Sequence, residues 1–288
     1  MSQRLALNDG SANPPRLKLY LNLGNLEDLP EWSTAPKGAL KDQLAGVKAA
    51  GYEGIQWLPA EVKAARELGL AGATFGRVDQ KGDSDTLARE AMDCGATAVT
   101  VHVGTGNEDD AGIDALIDDI LSAVAKHGVP IYVETHRATV TQDMWRTVQL
   151  IARRPDVRIN ADFSHYYTGQ EMIYGDLDAK VKFLQPVFDR TRFMHGRIGN
   201  GGSMQVPIDL ADPKANVGHF RQLWTEAFAG FLRGAQPGDV LPFAPELLKP
   251  EIFYARTFNG REESDRWQQA RVLADLAKQC FAAAQARG

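Results

Sequence analysis

Apolar positions along the chain follow two alternating periods. Short runs of alternating or β-branched apolar residues are each followed by a longer stretch whose apolar residues recur every three or four positions. The first kind predicts strands, at Leu17–Asn22, Tyr52–Leu58, Leu70–Phe75, Thr97–Val103, Val129–Glu134, Val157–Phe163, Thr191–Ile198 and Val240–Leu247. The second kind predicts helices. Leu40, Leu44 and Val47 mark the first, which Gly51 stops, and Pro59 opens the second at a first-turn position. The third spans about Asp83–Asp93. Ile113, Leu116, Ile117, Ile120, Leu121 and Val124 form the clearest stripe. Thr141 is expected to cap a fifth helix with Met144, Trp145, Val148 and Ile151 on one face. Later helices carry Val181, Leu184, Val187 and Phe188, then Phe220, Leu223, Trp224, Ala227, Phe228 and Phe231, and the last runs over Ser264–Ala286.

Eight strand-then-helix units with no internal linker predict one α/β domain, a single (β/α)8 TIM barrel over residues 17–288, after a flexible tail over residues 1–16. An open doubly wound sheet would need a Gly-rich phosphate fingerprint after an early strand, and there is none. The 288 residues, 44% of them apolar, suffice for one large core. A net charge of −5 argues against a nucleic-acid or membrane-surface partner. Two cysteines, Cys94 and Cys280, read as buried thiols of a reducing compartment. No apolar run approaches a membrane span and no signal peptide opens the chain, so a cytoplasmic enzyme is expected; self-association stays open.

In such a barrel the chemistry sits at the carboxyl ends of the strands. Strands four to eight end at His102, Glu134, Asp162, His195 and Glu246, and the first four are each about one strand–helix unit apart. The period of two places His102 with Thr100, Glu134 with Tyr132 and His136, Asp162 with Asn160, His195 with Arg197, and Glu246 with Ala244. Three carboxylates at one mouth require a cation. Glu134, Asp162, His195 and Glu246 make a mixed oxygen and nitrogen set for one divalent metal, with Mn²⁺ expected first and Mg²⁺, Co²⁺ or Zn²⁺ compatible.

Glu134, the run Asp162-Phe163-Ser164-His165, His195 and Glu246 resemble the xylose-isomerase-like barrels of the sugar (phosphate) isomerase/epimerase superfamily. The resemblance runs from about Leu17 to Phe281 in strand order and motif spacing. It implies that Glu134, Asp162, His195 and Glu246 hold one divalent ion. It also implies that Glu134 and Glu246 act as the acid–base pair, with His165 as a proton relay or a contact to substrate oxygens. The substrate it implies is a small carbohydrate, isomerised or epimerised through an enediolate. A dehydratase or lyase on a keto-sugar, keto-cyclitol or oxidised glycoside is the alternative. A non-catalytic, metal-bearing binding subunit is a third reading.

Two departures narrow this. Ketose 3-epimerases of the superfamily carry a second Glu six residues after the strand-five ligand, where this chain has Val140. Its DNA-repair members need further His ligands at strand three and after strand seven. Here strand three ends Thr74-Phe75-Gly76-Arg77, and the loop Gly199–Pro213 holds Asp209 and Asp212 but no His. His102, His136, Arg137, Arg197, Trp57 and Tyr166 are the expected substrate contacts. His136 and Arg137 could equally orient Glu134, and His102 is as well suited to ligation or to support of a ligand. The run Gly199-Asn200-Gly201-Gly202-Ser203 offers backbone N–H groups that could cradle a phosphate. His127 and His219 read as surface or capping residues.

Overall fold

The computed structural model describes residues 6–209 and 215–287; Asp212, and with it part of the loop after the seventh strand, lies outside them. The eight strands are β1 (Arg16–Asn22), β2 (Gly54–Gln56), β3 (Ala71–Val78), β4 (Ala98–Val103), β5 (Ile131–Glu134), β6 (Ile159–Ala161), β7 (Thr191–Gly196) and β8 (Asp239–Pro245). Each pairs in parallel with the next, and β8 pairs with both β7 and β1, so the sheet closes as a (β/α)8 barrel. Around it lie α1 (Leu40–Ala49), α2 (Pro59–Glu67), α3 (Asp83–Cys94), α4 (Asp110–His127), α5 (Met144–Arg153), α6 (Phe163–Gly169), α7 (Leu177–Phe183), α8 (Gln185–Arg190), α9 (Ala215–Gly234) and α10 (Arg266–Gln285).

Local chemistry sets most boundaries. Asp109 starts α4 by accepting a hydrogen bond from Gly112 N at 2.8 Å, and Gly128 ends it at φ 72°. Asp265 caps α10 through Trp267 N in the same way. The fifth helix departs from expectation. Asp143, not Thr141, caps α5, because its carboxylate reaches Arg146 N at 2.8 Å. Its buried face is Met144, Thr147, Leu150 and Ile151, which leaves Trp145 64% exposed. The sixth strand stops early, because the Asp162 side chain accepts from Ser164 N and turns the chain into α6. The following apolar stripe is split into α7 and α8 at Leu184, with Pro186 in the first turn of α8.

Two further segments differ. Within the stretch expected to be a flexible tail, Leu7–Asn8 pairs antiparallel with Asp239–Val240 of β8. After β8 comes an insert that no periodicity announced: a 3-10 turn at Pro250–Ile252 and a hairpin pairing Thr257–Phe258 with Arg261–Glu262. Buried Arg266 ties it down, donating to Glu262 Oε1 at 2.8 Å and to the carbonyls of Gly24 and Glu27.

The core has two layers. Between sheet and helices, Phe243 packs edge-on against Trp224 with ring centres 5.0 Å apart. Inside the barrel, Tyr20, Ala73, Ala98, Tyr132, Phe193 and Ala244 fill the lower half, with Leu7 and Val240 at the bottom. Burying each of the larger side chains stabilises by about 1.5–3 kcal/mol. Cys94 and Cys280 are buried free thiols. Among the described residues no helix is long and apolar enough to cross a membrane.

Candidate metal centre

Directly above the apolar plug, the same inward-facing positions become polar. Glu134 and Asn160 are register partners on β5 and β6, His195 stands beside Ala244 on β7 and β8, and Asn22 pairs with Gln56 on β1 and β2. One ligand atom each from Glu134, Asp162, His195 and Glu246 can be chosen so that all four lie within 4.8 Å of one another. Glu134, Asp162 and His195 are buried, and Glu246 is nearly so.

Neighbours hold each group in place. Ser164 donates to Asp162 Oδ1 through its backbone N–H at 2.9 Å and its hydroxyl at 2.6 Å. Asn22 Nδ2 donates to Glu246 Oε1 at 3.1 Å. Asp162 and Glu246 therefore each have one oxygen held by a neutral donor, and the other turned to charged partners. Asn160 Nδ2 donates to Glu134 Oε2 at 3.0 Å. His195 Nδ1 lies 3.4 Å from Glu134 Oε2 and 3.3 Å from Glu246 Oε2, while its Nε2 is 2.9 Å from Gln56 Oε1. Three carboxylates and one imidazole, anchored from behind by neutral donors, fit a divalent ion. Thr135 ties the tips of β5 and β6 together, its hydroxyl donating to Asp162 O and accepting from Asp162 N. Gly196 lets the Phe243 ring pack directly on β7: a Cβ there would come within 2.3 Å of it.

The charges respond to this crowding. Burial alone would raise the Glu134 carboxyl, but the imidazoles of His195 and His102 outweigh it and hold it well below the usual range. Burial would likewise depress His195, yet the carboxylates of Glu246 and Glu134 push it well above an ordinary imidazole. Asp162 is lowered because Arg197, His165 and His195 overcome its burial. His165 is driven well below its ordinary value by burial, and His136 falls to about 4 through burial and the neighbouring His102.

The expected substrate contacts separate into two groups. A cavity of about 230 Å³ opens over the centre, lined by Trp57 and His102 together with Glu134, His195 and Glu246. Its apolar wall is Trp57, Phe75, Leu248 and Ile252, and its polar floor includes Asn22, Gln56 and Thr100. A wider depression of about 660 Å³ beside the insert, between Trp32 and Arg261, holds none of the cluster. Tyr166, expected to wall a sugar pocket, does not line the cavity; it is fully buried, with its hydroxyl 2.6 Å from Thr147 Oγ1. Arg137 is exposed and its guanidinium lies over the Tyr254 ring. Arg197 is also withdrawn: it is buried, and Nη2 donates to Asp162 Oδ2 and, at 2.9 Å, to Glu246 Oε2. Those are the two oxygens turned away from the neutral donors, so Arg197 is the positive charge that holds them together.

His165 is buried behind Asp162, 3.5 Å from its Oδ2, and His136 stacks between His165 and His102 with ring centres 4.0 Å from each. His127 meets Asp85 at 2.7 Å and His219 meets the Tyr167 hydroxyl at 2.9 Å, both away from the mouth. The Gly-rich loop does not present a phosphate cradle, because Asn200 Oδ1 accepts the N–H groups of Gly202 and Ser203. Thr141 closes the loop after β5, donating to Glu134 O and accepting from His136 N at 3.2 Å.

No protein-family model matches the sequence, and no curated protein sequence does. Solved structures do. The probable 3-DHS dehydratase AsbF of Bacillus anthracis is 14% identical, over 82% of this chain and 94% of its own, with a TM-score of 0.56. The D-allulose 3-epimerase of Methylomonas sp. is 15% identical, over 93% and 99%, with a TM-score of 0.55. A xylose isomerase-like TIM barrel protein of Mycobacterium smegmatis, solved with magnesium, is 13% identical, over 94% and 98%, with a TM-score of 0.53. A dehydratase and an epimerase thus share this fold, and at these identities the likeness concerns the fold alone.

Proposed function

We propose that this xylose isomerase-like barrel is a divalent-metal-dependent isomerase or epimerase of a small sugar or sugar derivative. One observation carries the reading: the ligand atoms of Glu134, Asp162, His195 and Glu246 converge within 4.8 Å, and all but Asp162 line a cavity of about 230 Å³ at the barrel mouth. Glu134, Asp162, His195 and Glu246 would hold the ion. Bound there, a divalent cation supplies charge stabilisation of several kcal/mol to oxygens beside an acidic C–H.

Glu134 and Glu246 reach the cavity from β5 and from just past β8, with His195 between them. A substrate seated between the two carboxylates presents a different face to each. One carboxylate would take the proton α to the carbonyl, and the other, protonated beforehand, would deliver its own proton to the opposite face or to the neighbouring carbon, so the two exchange protonation states. A positioned base contributes roughly 10²–10⁴-fold. His195 is braced by Gln56 and by both carboxylates, so it orients the pair. His165, buried behind Asp162, serves through Asp162 and Arg197. No Lys or Arg lines the cavity among the described residues, whereas Glu27, Glu134 and Glu246 do, which favours an uncharged substrate over a phosphorylated one. Trp57 and Phe75, with ring centres 5.6 Å apart, offer an apolar surface to a sugar face.

The likeness to the Bacillus anthracis dehydratase supports a second outcome from the same first step, in which a β-oxygen leaves. Incubating the Mn²⁺-loaded enzyme with keto- and aldo-sugars in D₂O distinguishes the two. Isomerisation conserves product mass apart from deuterium at the α carbon, and elimination loses water. Turnover that survives exhaustive chelation, or no turnover with any divalent ion, would overturn the proposal.

A further inference from the structure

Arg197 holds two carboxylates of the cluster, yet its own guanidinium is incompletely satisfied. Nε donates to Ser164 Oγ at 3.1 Å and Nη2 serves Asp162 and Glu246, but Nη1 is buried with no hydrogen-bond partner. An aromatic face lies against the guanidinium instead. Tyr254, from the insert after β8, sets its ring centre 4.5 Å from Arg197 Cζ. The same ring centre is 5.3 Å from Cζ of Arg137, in the loop after β5. Tyr254 is therefore the contact at which the chain after β5, β7 and β8 meets, two residues beyond Ile252 of the cavity wall. Its hydroxyl comes only to within 3.5 Å of His136 Nε2, too long for a strong hydrogen bond, so the ring is the working part.

A π face attracts a guanidinium most strongly where water is excluded, as it is around Arg197. A divalent ion held by Asp162 and Glu246 draws on the same two carboxylates that neutralise Arg197. Each cation then has less counter-charge, and a buried charge short of it is costly. The Tyr254 ring is a partner for which the ion does not compete. We propose that Tyr254 is a positioning residue of the metal centre: its ring keeps Arg197 in place when the ion takes up Asp162 and Glu246, and so sets how tightly the ion is held. The inference rests on the metal centre proposed above and on no particular substrate.

The test is the Mn²⁺ dissociation constant of tag-free, metal-stripped protein, measured by titration calorimetry. Circular dichroism verifies the fold of every variant. Tyr254→Phe keeps the ring and is expected to bind within about twofold of wild type. Tyr254→Leu loses it and is expected to bind about tenfold more weakly, the size of a partly desolvated cation–π contact. Tyr254→Met is a second ring-free variant with the same expectation. The effect should vanish against Arg197→Met, so that Arg197→Met alone and combined with Tyr254→Leu binds alike. A loss that persists in the Arg197→Met background would overturn the proposal, because the ring would then merely hold the insert over the mouth. Wild-type affinity in the ring-free variants would overturn it too, and so would a loss in Tyr254→Phe as large as in Tyr254→Leu. No Mn²⁺ bound by wild type would remove the metal centre itself, and this inference with it.

Discussion

The lower and upper halves of the barrel interior are built on the same strands, two residues apart, and face opposite demands. Tyr132 sits below Glu134, Phe193 below His195 and Ala244 below Glu246. Below, Tyr20, Tyr132 and Phe193 interlock, with ring centres 5.9 and 6.4 Å apart across the lumen. Above, charges of both signs are buried beneath a cavity, among them Asp162, Glu134, His195 and Arg197. The lesson is that the upper half is not a loose rim carried by a solid base. Arg197 and Asp162 are almost wholly inaccessible, and each is compensated only by its partners there. Removing a partner leaves a charge stranded in a low-dielectric interior.

The largest expected effects test that equivalence directly. Phe193→Ala should cost about 3–5 kcal/mol in urea unfolding while the variant still binds stoichiometric metal at the mouth. Asp162→Ala should cost a similar 3–5 kcal/mol in metal-free protein, because Arg197 loses one of its two carboxylate partners. Adding Arg197→Met to Asp162→Ala should recover most of that loss. If Asp162→Ala alone leaves the metal-free protein as stable as wild type, the two halves are not alike and the upper one is a dispensable rim.

Next come the two carboxylates of the proposed acid–base pair. Glu134→Gln and Glu246→Gln should retain the fold by circular dichroism yet lose turnover by about 10²-fold or more. Near-normal turnover in either variant would remove that residue from the proton transfers.

The smallest effect is a pH dependence confined to the upper half of metal-free protein. His195 and His102 are raised, so what they contribute is fully present below about pH 6.5 and is lost as pH climbs through their folded values. His136 and His165 are lowered by burial. Below about pH 6.5 the unfolded chain takes up protons that these two refuse when folded, so stability falls in that direction too. Tm after chelation should therefore peak near pH 6.5 and decline on both sides. A curve rising steadily from pH 5 to pH 8 would show that one pair of imidazoles has been assigned the wrong environment.

What could be read from the chain follows the same division. Strand ends carrying Glu134, Asp162, His195 and Glu246 were legible because alternation by two is a backbone property. The alternation puts Thr100 and Asn160 on the same faces as His102 and Asp162 without giving them a role, and Asn22 and Gln56 carry the same signal unread: polar residues at inward positions of otherwise apolar strands. Tyr166 and Trp145 exchanged their expected exposures for a different reason. Each position depends on where a helix begins, and the side chains of Asp162 and Asp143 set those starts. Arg197 has the inward phase that the alternation predicts, but only packing reveals that its charge is spent on two carboxylates. The insert after β8 has no period at all, and its place over the mouth comes from Arg266 binding the carbonyls of Gly24 and Glu27.

The two-residue strand Leu7–Asn8 carries a consequence for how the chain assembles. β7 pairs with β8 only through residues 194–196, and Leu7–Asn8 takes the lower stretch of that edge of β8. Its hydrogen bond from Asn8 to Asp239 spans 231 positions of sequence. Contacts of such separation cannot form until β8 has left the ribosome. Until then the growing sheet exposes a raw edge, and a chain shortened from its start would keep one permanently. Ring closure is thus a late event in the assembly of this barrel, and Leu7–Asn8 and β1 wait for β8 before they are put to use.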